Sequence, residues 1–276
     1  MSDIQKTVIA VAILASFVAF LDGSVVNVAL PAMMRNLGGG LMLQQWVVDA
    51  YLITLGALML IAGSLSDIFG RNRVMKLGLW GFGIASLICA FAPSGGVLIG
   101  ARALQGVAGA LLVPSSLAMI ISAFSGEAQG KAIGTWTAWT GIAFLVGPLL
   151  GGFLVDISSW RWIFAINVAP IAVTLYLLSK LTPDKPRSKE VKLDVTGAFL
   201  SALGLGSSVY ALIEHTRYGW GNPLIISTLV IGITALIAFL WHENKAEAPM
   251  LPLSLFRVRN FSAGNVATLF IYAALS

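Results

Sequence analysis

Long apolar runs broken by short polar connections dominate the chain. Runs of about 17–25 residues, enough to cross a ~30 Å hydrocarbon core as a helix, fall near 7–30, 46–66, 74–92, 96–121, 132–155, 162–181, 195–213 and 223–241. Another opens at Phe261. The pattern predicts an all-α polytopic membrane protein. The connections alternate in charge: one set carries Lys6, Arg71, Arg73, Lys76, Lys131, Lys180, Lys185, Arg187, Lys189, Lys192, Lys245, Arg257 and Arg259, the other only Arg35, Arg161 and Arg217. Lys and Arg are retained on the cytoplasmic side, so the expectation is a multi-pass protein of the plasma or inner membrane with its N-terminus inside.

The connections also divide the chain. Residues 1–181 are expected to form a six-helix transmembrane bundle and 195–241 two additional helices. Between them, 182–194 reads as a Pro- and Lys-rich cytoplasmic linker. Residues 242–260, with Pro249, Pro252, Leu255, Phe256 and two arginines, suit a piece lying at the inner surface. The last segment, 261–276, would rise only about 24 Å, so it reads as a ninth helix cut short. Trp46, Trp160, Trp162 and Trp220 fall at predicted outer helix ends and read as an aromatic belt.

Composition narrows the chemistry. Charged residues make up 11% of the chain, against about 25% in soluble domains. The net charge of +5 is spread over loops rather than gathered on one face, which argues against nucleic acid. One cysteine, Cys89, and two histidines, His215 and His242, leave no material for disulfides or a Cys/His metal centre, and no cofactor is expected. No nucleophile, base and acid fall into a catalytic pattern, so an enzyme is not expected; Asp49, Asp156 and Glu214 read as solvated acids at helix ends. The first run follows Lys6 but is too long for a signal peptide and lacks a small-residue cleavage pattern, so it stays as an anchor.

Against this apolar background one acid stands out. Asp22 lies deep in the first run, where a carboxylate costs roughly 2.5–3.5 kcal/mol on insertion, so it must face protein or a wet cavity. Lys76 and Lys180 lie at span ends, and Arg102 is the one basic residue deep inside a predicted span. Asp22 sits about 22 Å above the inner end of helix 1 and Arg102 about 9 Å below the outer start of helix 4. In a ~30 Å core these are nearly one level, so the two are expected to pair, directly or through Gln105 or water. A static pair that fixes helix 1 against helix 4 is the plainer reading.

Two further stretches have defined geometry. In Gly63 to Arg73, Asp67 ends helix 2, where the dipole disfavours an acid and calls for a cation; Gly63 permits close approach, Gly70 a positive φ, and Arg71 and Arg73 follow. On helix 5, Gly141, Gly147, Pro148, Gly151 and Gly152 strip one face to backbone so that another helix can lie close.

Taken together, these stretches resemble the major facilitator superfamily, in its fourteen-helix drug:proton antiporter branch. Leu21 to Pro31 is similar to that branch's helix-1 motif, Gly63 to Arg73 to the superfamily's helix 2–3 signature, Arg102 to Gly109 to its helix-4 motif, and Gly147-Pro148 with Gly151-Gly152 to its helix-5 antiporter motif. Trp160 to Phe164 with Asn167 and Pro170 also fits, whereas Ile68 and Asn72 stand where the family usually has basic residues. The resemblance implies a six-helix N-terminal bundle of two inverted three-helix repeats plus two extra helices. It implies alternating access, proton coupling through Asp22, Arg102, Asn27 and Gln105, and a conformational switch at Gly63, Asp67, Gly70, Arg71 and Arg73. The implied partners are small amphipathic or cationic drugs, protons, the bilayer, and a missing C-terminal half or second copy, whose bundle the helix-5 face would meet. The competing reading is a truncated, non-transporting membrane scaffold or assembly partner.

Overall fold

A computed structural model of the protein describes residues 1–181, 194–246 and 249–275. The expected linker and its Lys185, Arg187, Lys189 and Lys192 lie outside the described residues. Regular structure among the described residues is helical: α1 (Asp3–Leu37), α2 (Gly40–Phe69), α3 (Arg71–Ala90), α4 (Gly95–Ala123), α5 (Gly126–Ile157), α6 (Trp162–Ala165), α7 (Val168–Ser179), α8 (Val195–Tyr218), α9 (Pro223–Glu243) and α10 (Arg259–Leu275), with a 3₁₀ turn at Leu253–Arg257. Eight helical segments among these residues, α6 and α7 together counting as one, are long and apolar enough to cross a membrane. The chain is a multi-pass membrane protein.

Most helices overrun their apolar cores because local signals outside the runs start and stop them. Ser2 and Gln5 form a reciprocal capping box that starts α1 four residues before its apolar run, and Gly38 (φ 76°) ends it. A single residue, Gly70 (φ 91°), separates α2 from α3, a conformation open to glycine and strained for other residues. The expected sixth helix is broken. Pro170 has no N–H to return to the carbonyl of Ile166, and the chain passes from α6 to α7 through Ile166 and Asn167.

The bundle is organised around α1. Its Val11, Ala12, Ala15, Val18, Val25, Val26 and Ala29 are completely buried, and it packs against α2, α4, α5, α6 and α7. One of these neighbours, α5, comes close enough to need glycine at two positions. A Cβ on Gly147 of α5 would lie 2.8 Å from Ser24 Cβ and 3.1 Å from Val25 N, and one on Gly151 would lie 2.9 Å from Val25 O. The expectation that the face awaits another bundle is therefore corrected for Gly147 and Gly151, which already pack on α1. Gly141 has open space around it and Gly152 only Val28 at 3.9 Å, because they project to other sides of α5. Among the large apolar residues that α5 leaves exposed are Trp139, Ile142, Phe144, Leu145, Leu149 and Phe153, suited to lipid or to another helix.

Helices α8 and α9 interlock at Gly204, whose Cβ would meet Leu236, and Gly232, whose Cβ would meet Ser208; α8 lies on α2. Trp46 Nε1 donates to Glu214 Oε1 across that contact (2.6 Å). Glu214 is 5% exposed, not a solvated acid, since α8 runs on to Tyr218 and carries it under α2. Trp160 is likewise buried and donates to Asn36 Oδ1 (3.4 Å), so it is a packing residue rather than part of a belt. Trp162 and Trp220 remain exposed.

Candidate functional site

Midway along α1, Asp22 is fully buried, and Arg102 on α4 beside it is 1% exposed. Arg102 Nη1 donates to Asp22 Oδ2, as their matched depth predicts. Gln105, one turn along α4, donates through Nε2 to Asp22 Oδ1 (2.8 Å) and accepts from Arg102 Nη1 (2.7 Å). The guanidinium is held on its other edge: Arg102 Nε donates to the Val47 carbonyl (2.9 Å), and its Cζ lies 4.3 Å from the Tyr51 ring centroid. Tyr51 in turn donates its hydroxyl to the Ala19 carbonyl (3.0 Å).

Three more side chains complete the cluster. Asn167 Nδ2 donates to Asp22 Oδ1 (2.8 Å) and to Ser86 Oγ (3.3 Å); Gln105 Nε2 also donates to Ser86 Oγ (2.9 Å). Cys89 Sγ reaches Gln105 Oε1 (3.6 Å). Asn167 gets there because it sits in the α6–α7 break. Its own Oδ1 is buried without a donor among the described residues. The carboxylate oxygens of Asp22 thus accept from one cation and two amides, supplied by α4 and by the break between α6 and α7.

The remaining expected site residues stand apart from this cluster. Asn27 lies on the exposed side of α1, its Nδ2 bonded within its own helix to the Gly23 carbonyl (3.5 Å). At the α2–α3 turn Arg71 pairs with Asp67 at 3.6 Å, which supplies the cation that the helix end calls for. Gly70 is the single residue between the two helices, Arg73 is exposed, and a Cβ on Gly63 would meet nothing within 4 Å among the described residues, so Gly63 does not mediate a close helix crossing here. On α5, Pro148 is exposed beside the buried Gly147 and Gly151. Sequence reasoning had placed Asn167 only by resemblance and had missed Ser86, Tyr51 and Cys89; polar residues inside apolar runs were the available signal.

An all-helical membrane bundle with a buried acid–arginine pair at its centre defines an integral membrane protein. The chain belongs to the Major Facilitator Superfamily, which residues 12–276 match. It is similar to the puromycin resistance protein of Streptomyces alboniger (43% identity, 86% of this chain and 47% of that one). It is also similar to two Bacillus subtilis proteins: the methylenomycin A resistance protein (36%, 93% and 55%) and the multidrug transporter MdtP (32%, 94% and 48%). The chain thus spans about half the length of the curated relatives it matches. The crystal structure of a peptide transporter, POT, in complex with sulfate shares the fold (TM-score 0.65, 14% identity, 90% of this chain and 53% of that one).

Proposed function

We propose that this chain supplies the proton-coupling bundle of a secondary active transporter that exports amphipathic or cationic drugs. The observation that carries the reading is the Asp22–Arg102 pair, completely buried among uncharged donors. A coupling carboxylate must be charged in one state and neutral in another. Here Arg102 Nη1 donates to Oδ2; in the proposed cycle a shift of α4 relative to α1 breaks that contact and admits water, Oδ2 takes a proton, and Gln105 and Asn167 keep Oδ1. The membrane potential biases such a step by about 2.3 kcal/mol per charge per 100 mV. Substrate class is supported by relatives named for puromycin, methylenomycin A and multidrug resistance.

In this reading residues 1–181 form the six-helix unit, the N-terminus is cytoplasmic, and the α2–α3 turn with Asp67, Gly70 and Arg71 opens and closes the inner side. A substrate path between two bundles then calls for a second bundle beyond these helices. The test is uptake of a fluorescent cationic dye by vesicles carrying the transporter of which this chain is part, under an imposed pH gradient. Gradient-driven movement that Asp22→Asn abolishes is expected; gradient-driven movement undiminished in Asp22→Asn refutes the coupling role. No movement in wild-type vesicles favours the scaffold reading.

A further inference from the structure

A second cluster of titratable groups lies far from Asp22, at the end of the bundle that also carries the N-terminus and the α2–α3 turn. Asp194 caps α8: its Oδ1 accepts from Gly197 N (2.8 Å) and from the His242 ring at Nε2 (2.7 Å). Glu243, the last residue of α9, accepts from Leu251 N through Oε2 (2.8 Å), which ties the segment leading to the 3₁₀ turn back onto α9. Among the described residues the other oxygen of each carboxyl, Asp194 Oδ2 and Glu243 Oε1, is buried without a donor. The side chains are hidden as well: Asp194 is 7% exposed and Glu243 as a residue 3%.

The two orphan oxygens converge on one point. A Cβ built on Gly197 would lie 2.8 Å from Glu243 Oε1 and closer still to Asp194 Oδ2, so both press on the same bare α-carbon, and the two carboxyl groups are within hydrogen-bond reach of each other. Two ionised oxygens facing each other in a buried site would repel and each would forgo its hydrogen bond. We infer that Glu243 Oε1 and Asp194 Oδ2 bind a single proton between them, a second proton site separate from Asp22.

The proton belongs to Glu243, whose O–H donates to the Asp194 carboxylate. Asp194 already receives the Gly197 N–H, the His242 ring and the N-terminus of α8, all of which favour its charged form. Burial pushes the Asp194 carboxyl up, and those hydrogen bonds outweigh it, leaving it below its ordinary value. The groups facing the pair among the described residues are His242 and Gly197; Lys245 is turned to the Trp241 ring, 4.0 Å from its centroid. His242, 28% exposed, links the pair to the aqueous side. When the proton leaves, the repelled Glu243 carboxylate swings out and lets go of Leu251 N, so the pH on that side decides whether the segment at Leu251 and the 3₁₀ turn is latched to α9.

The experiment uses the full chain in lipid vesicles with a nitroxide on Ser254→Cys, an exposed position of the turn; Cys89 is buried. Label mobility should rise in one transition as pH increases. Glu243→Gln places an amide N–H where the proton was and still accepts from Leu251 N, so it should stay immobile at all pH, and it should remove a carboxylic-acid C=O band from the infrared spectrum. A flat wild-type profile overturns the proposal, as does a transition or an acid band kept by Glu243→Gln. So does a transition abolished by His242→Gln instead, which would place the proton on the ring. Neither readout depends on drug movement, so a failure of the transport reading leaves them standing.

Discussion

Asn167, in the break between α6 and α7, donates to the same oxygen of Asp22 that Gln105 holds, both at 2.8 Å. The acid of α1 is thereby tied both to α4 and to the α6–α7 break. Replacing Asn167 with Asp sets a second carboxyl against the first, and like charges at that separation cannot both ionise. Asn167→Asp should therefore shift the pH dependence of gradient-driven efflux toward higher pH, whereas Asn167→Ala should weaken efflux with little shift. An unshifted profile for Asn167→Asp would remove Asn167 from the coupling site.

Asp22 and Arg102 should be strongly non-additive. Either partner alone is a buried uncompensated charge, at a cost of about 3–5 kcal/mol. Asp22→Asn and Arg102→Gln should each lower thermal stability in detergent, and the double variant should recover much of the loss. Additive losses would mean that the two charges are compensated separately.

On α5 the glycines divide into two kinds. Gly147→Ala and Gly151→Ala should destabilise by roughly 1–3 kcal/mol, the usual range for overpacking, because their methyls meet Ser24 and Val25 of α1. Gly141→Ala and Gly152→Ala should be near neutral. Thermal melting of the four variants checks this, and equal effects at all four would contradict the crossing.

Trp46 is the donor that Glu214 depends on. Trp46→Phe leaves that acid buried with neither oxygen served, while Glu214→Gln keeps an acceptor for the indole. Disulfide crosslinking between cysteines placed on α2 and α8 should fall for Trp46→Phe and persist for Glu214→Gln.

Acid should loosen the first turn of α8. The Asp194 carboxyl lies below its ordinary value in the folded protein, so its cap contributes fully above the unfolded carboxylate range and is lost as pH falls through the lowered folded value. Amide exchange of the residues following Asp194, corrected for the intrinsic rate, should accelerate only in that acidic window, and Asp194→Asn should flatten the dependence.

The helices and the central pair were legible because a charge inside an apolar run is rare and its depth follows from helical rise. Uncharged partners were harder: Ser86 and Cys89 look like any small residues of a membrane helix until α4 is packed beside α3. Glu214 was misread because hydropathy ends the run before the helix ends. The glycines of α5 were legible as a close-packing face, but which residues meet a neighbour depends on the crossing with α1, which no local pattern encodes.

Because α8 rests on α2 and holds α9 through the Gly204 and Gly232 crossing, the pair behaves as an outrigger. Any tilt of α2 sweeps both helices through lipid at a radius beyond the bundle. In the proposed transport cycle such a tilt would therefore have to displace the lipid around α8 and α9 as well as around α2.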